Sequence, residues 1–115
     1  MIRLLHSALL LSLVTLSASA QTPPTNDYPT EDRAGYVFGC MAVNGQTPDA
    51  LRRCSCAIDV IATILPYDAY VAAETVLTMR QTSGERSALF RDTAPANSRV
   101  VDLRRAEAEA EIICF

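Results

Sequence analysis

The sequence predicts an all-α domain: a small bundle of four to five helices stapled by two disulfides. Three observations carry that expectation. Apolar residues recur at i, i+3 and i+4 through most of the chain. No strand-turn-strand pattern and no internal repeat interrupts them. Four cysteines, Cys40, Cys54, Cys56 and Cys114, sit in a short chain that opens with an export signal.

The signal is residues 1–20, MIRLLHSALLLSLVTLSASA. Arg3 gives the positive start, Ala8 to Leu16 the apolar run, and Ala18-Ser19-Ala20 a small-x-small cleavage site. Cleavage after Ala20 directs the protein to the periplasm or the medium. The run is shorter than the roughly 20 apolar residues a bilayer needs, and neither a stop-transfer pattern nor a lipid-accepting cysteine comes after it. No membrane anchor is therefore expected after cleavage.

Removing the signal leaves 95 of 115 residues, a size suited to one domain. Residues 21–29 (QTPPTNDYP) are polar and proline-rich and read as a flexible leader, so the helical domain is expected over 30–115. Thr30 is placed to cap a first helix, with Glu31 and Asp32 at its positive end. Val37, Cys40 and Met41 give that helix an apolar face, and Asn44-Gly45 ends it. Thr47-Pro48-Asp49 is a restart signal for a short element, Pro48 to Arg53. Ser55 is a candidate cap for a central apolar helix, Ala57 to Leu65, which Pro66 ends.

Asp68 can cap the next helix, whose Ala69, Ala73, Val76 and Leu77 share one face while Glu74, Thr78 and Gln81 point away. Thr82-Ser83-Gly84 closes it, and Glu85 to Arg91 suits one or two turns around Leu89 and Phe90. Asp92 to Ser98, with Pro95, reads as a loop. Asn97 or Ser98 would then cap a last helix with Val100, Leu103, Ala106, Ala110 and Ile113 on its apolar face.

Composition excludes more chemistry than it suggests. After the signal there are nine arginines and thirteen carboxylates, a net charge of −4, and no lysine. A mildly acidic chain without a basic cluster argues against nucleic acid and anionic membrane as partners. The single histidine, His6, lies in the signal. Without imidazole, Ser/His and Cys/His nucleophilic catalysis, His-ligated metals and a histidine pH switch all fall away. Without lysine, so do Schiff bases and the phosphate-binding lysine of nucleotide loops. The four glycines (Gly35, Gly39, Gly45, Gly84) form no phosphate loop. No cofactor, metal or catalytic residue is expected, and the chain reads as non-enzymatic.

Cysteines two apart rarely pair with each other, because so short a loop forces poor geometry. Cys54 and Cys56 should each reach a distant partner, as 40–54 with 56–114 or as 40–56 with 54–114. Either pattern ties the first and last helices to one junction. Two alternatives carry chemistry. Cys54-Ser55-Cys56 as a strained pair near a helix start would serve thiol–disulfide exchange. Four thiolates could also hold a metal, though oxidation competes in an exporting compartment.

Three further groups invite a functional reading. Glu107, Glu109 and Glu111 alternate with alanine, a spacing that spreads carboxylates around a solvated face, with Arg105 in reach of Glu109. Charge loss there in acid would loosen the fold or an oligomer. Asp59, in the most apolar helix, suits a buried ion pair with Arg52, Arg53 or Arg80 more than a catalytic role. Tyr36, Tyr67 and Tyr70 suit helix contacts with wet hydroxyls, or an aromatic groove.

Gly35-Tyr36-Val37, a mid-chain cysteine before an apolar helix, the break at Pro66 and the terminal Cys-Phe together resemble small helical periplasmic proteins. These are the acid-stress chaperones of the HdeA/HdeB type, which have one bridging pair instead of four cysteines, and the Rap1a-type immunity proteins. The string CSCAIDVIATILPYDAYVAAETVLTMRQ, with FRD and AEAEAEIICF, is also similar to secreted proteins loosely associated with quinoprotein alcohol oxidation in proteobacteria. The first likeness implies an accessory or chaperone-like module that binds another periplasmic protein; the second brings no biochemical role and no catalytic residues. The partner and the oligomeric state are left open by the sequence.

Overall fold

The computed structural model describes residues 26–115; the expected signal peptide and its cleavage site lie outside the described residues. Five α-helices and no strand make up those residues. They are α1 (Thr30–Asn44), α2 (Pro48–Ile64), α3 (Tyr67–Gln81), α4 (Glu85–Asp92) and α5 (Ala94–Cys114). No single helix among them is long and apolar enough to cross a membrane.

The restart signal after α1 works as expected. Gly45, at φ +99°, adopts a backbone that side chains resist, and α1 stops there. Thr47 Oγ1 then accepts the Ala50 N–H at 3.1 Å, with Pro48 in the first turn of α2. Beyond this cap the structure departs from the sequence expectation. The short element over 48–53 and the central helix over 57–65 are one continuous helix, running straight through Cys54-Ser55-Cys56. Nothing between Asp49 and Leu65 is glycine or proline. Ser55 does not cap; its hydroxyl donates back to Leu51 O at 2.7 Å, which lets a serine sit mid-helix.

Leu65-Pro66 turns the chain by 112° into α3. Gly84, at φ +115°, separates α3 from α4. The expected loop over Asp92 to Ser98 is largely helix: α5 starts at Ala94, and Pro95 is tolerated within its first turn. Asn97 is not a cap. Its Oδ1 accepts a hydrogen bond from Arg80 Nη2 at 2.7 Å, tying α5 to α3.

α2 is the centre of the bundle, with α1 on one side and α5 on the other; α3 and α4 complete the far side against α5. The main core joins Ala57, Ile58, Ile61, Tyr70, Leu103 and Ala106, and Val76, Ala96 and Val100 form a smaller one. The main core is alanine-rich, with Ala57, Ala73, Ala106 and Ala110, which lets the helices approach closely but buries little apolar area. Ile58, Ile61 and Leu103 are the only large aliphatic side chains buried completely among the described residues. On α5 the expected Ile113 is exposed, and the apolar stripe continues into Cys114 instead. α1 contributes no fully buried residue at all.

The end of the expected leader belongs to the fold. Tyr28 is 4% exposed, wedged beside Tyr67 and Tyr70 with ring centroids 5.3 and 4.9 Å away. Its hydroxyl donates to Leu65 O at 2.8 Å, satisfying a carbonyl just past the end of α2. Asp27 Oδ2 accepts the Tyr67 N–H at 3.0 Å, acting as an N-cap for α3 from 40 residues away. Residues 26–29 thus strap the α2–α3 corner, where proline leaves backbone groups unpaired. Burial, then the nearby Asp27 carboxylate, raises the Tyr28 phenol well above its ordinary pKa. Tyr28→Phe should lower unfolding free energy by about 1 kcal/mol and Tyr28→Ala by ~3–5 kcal/mol, as read by urea denaturation. Equal losses in the two variants would show that the hydroxyl, not the ring, holds the strap.

Candidate functional site

Cys54 and Cys56 lie two residues apart on a continuous helix, so their side chains leave α2 about 200° apart, on opposite sides. Cys54 reaches α1 and pairs with Cys40; Cys56 reaches α5 and pairs with Cys114. The Cα–Cα separation is 5.8 Å in both bridges, within the ordinary range. Of the two connectivities the sequence allowed, the structure has the one with sequential loops, because the Cys54 side of α2 meets α1 and the Cys56 side meets α5. No cysteine is free. Arg53 reinforces the second bridge, donating to Phe115 O at 3.1 Å with its guanidinium 5.9 Å from the Phe115 ring centre.

Asp59 is paired, but not as the sequence suggested. It is about half exposed, and its partner is Arg33 of α1, Nη2 to Oδ1 at 2.5 Å. Arg52 and Arg53 turn instead to Asp49, and Arg80 to Phe90 O and Asn97. The reason is the position of Asp59 on α2: it lies one turn beyond Ser55 on the side that faces α1, not the core. Beyond Cys40–Cys54 and Arg33–Asp59, α1 is held by Tyr67, whose hydroxyl donates to Asp32 Oδ2. That bond is the main cause raising the Tyr67 phenol pKa.

Because α1 rests on α2, a wide groove is left between α1 and α3, with α2 and α5 at its base. Its volume is about 1110 Å³. Gly35 and Gly39, one turn apart, face it, and a Cβ at either would meet nothing within 4 Å. Ala57, Tyr70 and Ala110 lie at the base, and Tyr36 and Tyr67 also line it. All three tyrosines singled out in the sequence therefore meet at one groove, and Tyr28 backs two of them.

The carboxylates converge more than the alternating pattern suggested. Glu107 and Glu111, at i and i+4, share a face and line the groove, whereas Glu109 points to solvent. Arg105 is not paired with Glu109; Arg104 binds Glu107 instead, at 2.7 Å. Glu74, read as pointing away, is half-buried in the opposite wall. Burial raises its pKa, Glu107 raises it further, and Arg104 partly opposes the shift. Tyr36 is raised by burial and then by Glu107, Glu111 and Glu74.

Sequence reasoning missed the two glycines as a pair. Their signal was the i, i+4 spacing in Gly35-Tyr36-Val37-Phe38-Gly39, which bares one helix face. Among the described residues no group of acidic or cysteine side chains is arranged to hold a metal ion. No family model, no curated protein and no solved structure matches this chain.

Non-reducing peptide mapping should yield the linked pairs 40–54 and 56–114; a 40–56 peptide would contradict the placement of Cys54 toward α1 and Cys56 toward α5. Glu74 binds its proton more tightly folded than unfolded, so its contribution to stability is present at low pH and lost as pH rises above 4.5 through the folded value. Glu74→Gln should remove that loss. Thermal melts of the wild type and the variant should diverge as pH rises through this window, with the variant the more stable at pH 7. Parallel curves would rule the effect out.

Proposed function

We propose that this chain is a small exported, non-enzymatic protein that binds a partner protein of the periplasm through the groove between α1 and α3. The observation that carries the reading is the groove itself: about 1110 Å³, open, and edged by a helix face bared by Gly35 and Gly39. Glycine inside a helix costs roughly 1 kcal/mol relative to alanine. Two of them on an otherwise lightly anchored helix favour a role in letting something approach. The groove lies at the upper end of the roughly 300–1,000 Å³ of small-molecule pockets and is open along α1, which suits a macromolecular segment. Its ionisable groups are carboxylates, phenols and one guanidinium, a poor set for general acid–base work near neutral pH.

The alternative, thiol–disulfide exchange at Cys54-Ser55-Cys56, draws less support. That chemistry needs a labile bond within the pair, whereas the two sulfurs leave α2 on opposite sides. Cys54 has no exposed surface for an attacking thiolate.

Site-specific photo-crosslinking in the producing cells tests the reading. A benzoylphenylalanine placed at Thr78, in the groove, should give a discrete protein adduct, and one at Ala108, on the exposed face of α5, should not. Adducts at neither position, or equally at both, would reject the groove as the binding surface.

A further inference from the structure

We infer that the occupant of this groove is a basic amphipathic helix of the partner protein, about three to four turns long. The inference rests on the partner-binding reading above and specifies its chemistry. Charge comes first. Glu31, Asp32, Glu74, Glu107 and Glu111 line the groove, and Arg104 is the one basic residue among its lining. That balance of −4 equals the net charge of the whole chain beyond residue 20. The acidity of the protein is therefore concentrated on this surface, while charges elsewhere cancel. A cationic segment would be drawn in and oriented by it.

Shape selects a helix. The lining runs along α1 from Glu31 to Asn44, roughly 20 Å at 1.5 Å per residue. An extended peptide in this groove would meet no strand edge, since the described residues contain no strand, so its backbone groups would lie unpaired against Ala57, Tyr70 and Ala110. A helix satisfies its own backbone and brings only side chains. Interaxial distance between packed helices is set by the side chains at the contact, and Gly35 and Gly39 remove them from the middle of the α1 wall, between Asp32 and Val43. Small apolar side chains on the incoming helix would rest on that wall and the base. Its lysines or arginines would flank them and meet Glu74 on α3 and Glu107 and Glu111 on α5.

Two end-capped fluorescent peptides of about 14 residues test this, with the same alanine–leucine stripe flanked by lysine in one and by glutamate in the other. Fluorescence anisotropy with the intact mature protein should show the lysine peptide binding about tenfold or more tightly than the glutamate peptide at about 20 mM NaCl. The gap should shrink at about 200 mM NaCl. Gly39→Phe, which fills the groove from a position where an added Cβ meets nothing within 4 Å, should weaken the lysine peptide by about fivefold or more without lowering the melting temperature. The pair Glu107→Gln and Glu111→Gln should weaken it similarly and flatten the salt dependence.

Equal binding of both peptides, binding of neither, or full binding by a folded Gly39→Phe variant would overturn the inference. So would a dimer in sedimentation that Gly39→Phe dissociates, since a second copy would then fill the groove. Crosslinks at Thr78 without a preference for lysine would overturn the basic helix and leave partner binding standing. Absence of those crosslinks would remove the broader reading instead.

Discussion

Two cysteines separated by one serine on an unbroken helix face opposite ways, and the arrangement of this protein depends on that angle. Had Cys54-Ser55-Cys56 been a turn, the two thiols could have pointed to one side and competed for the same partners. On α2 they divide the work: one bridge to α1, one to α5. The loops closed are sequential, with separations of 14 and 58 residues. In the chain-entropy model they contribute roughly 3 and 4 kcal/mol. Against a typical net stability of ~5–15 kcal/mol, and a core with three fully buried large aliphatic side chains, the two together are a large share.

The two bridges do different jobs. Cys56–Cys114 joins helices that already share the main core, since α2 and α5 bury Ile58, Ile61, Leu103 and Ala106 against each other. Cys40–Cys54 holds a helix that has no fully buried residue. α1 lays only the half-buried Tyr36 and Val37 against the core and is otherwise fixed at points: the bridge, the Arg33–Asp59 pair and the Tyr67–Asp32 hydrogen bond. A helix attached in this way need not bury its second face to stay in place. That is why a groove with a bare glycine wall can persist beside α3, and why the covalent framework and the proposed binding surface are parts of one design.

Much of the fold was legible because local signals were strong. Gly45, the Thr47 cap with Pro48, and the glycine before α4 set boundaries that the structure keeps. The misreadings share a cause: residues that often cap or break helices can also be absorbed by them. Ser55 bonds back within α2, Pro95 fits the first turn of α5, and Asn97 serves Arg80. Tyr28 and Asp27 were hidden for another reason. Their partners, Leu65 and Tyr67, lie about 40 residues away, and nothing local distinguishes a buried tyrosine from one in a leader. The cysteines were identified from the sequence, but their connectivity depends on which face of α2 meets α1 and which meets α5, and that is set by packing. The groove could not be read directly, because it is a consequence of α1 packing on α2 and meeting α3 only near the Tyr67–Asp32 hydrogen bond.

The central claim is that Cys40–Cys54 holds α1, and little else, on a bundle that stands without it. Hydrogen exchange measured by mass spectrometry on the Cys40→Ala, Cys54→Ala double variant tests it directly. Amides of residues 30–44 should lose protection, while those of α2, α3 and α5 keep most of theirs. Protection lost evenly across all five helices would contradict the account, and so would protection retained throughout α1.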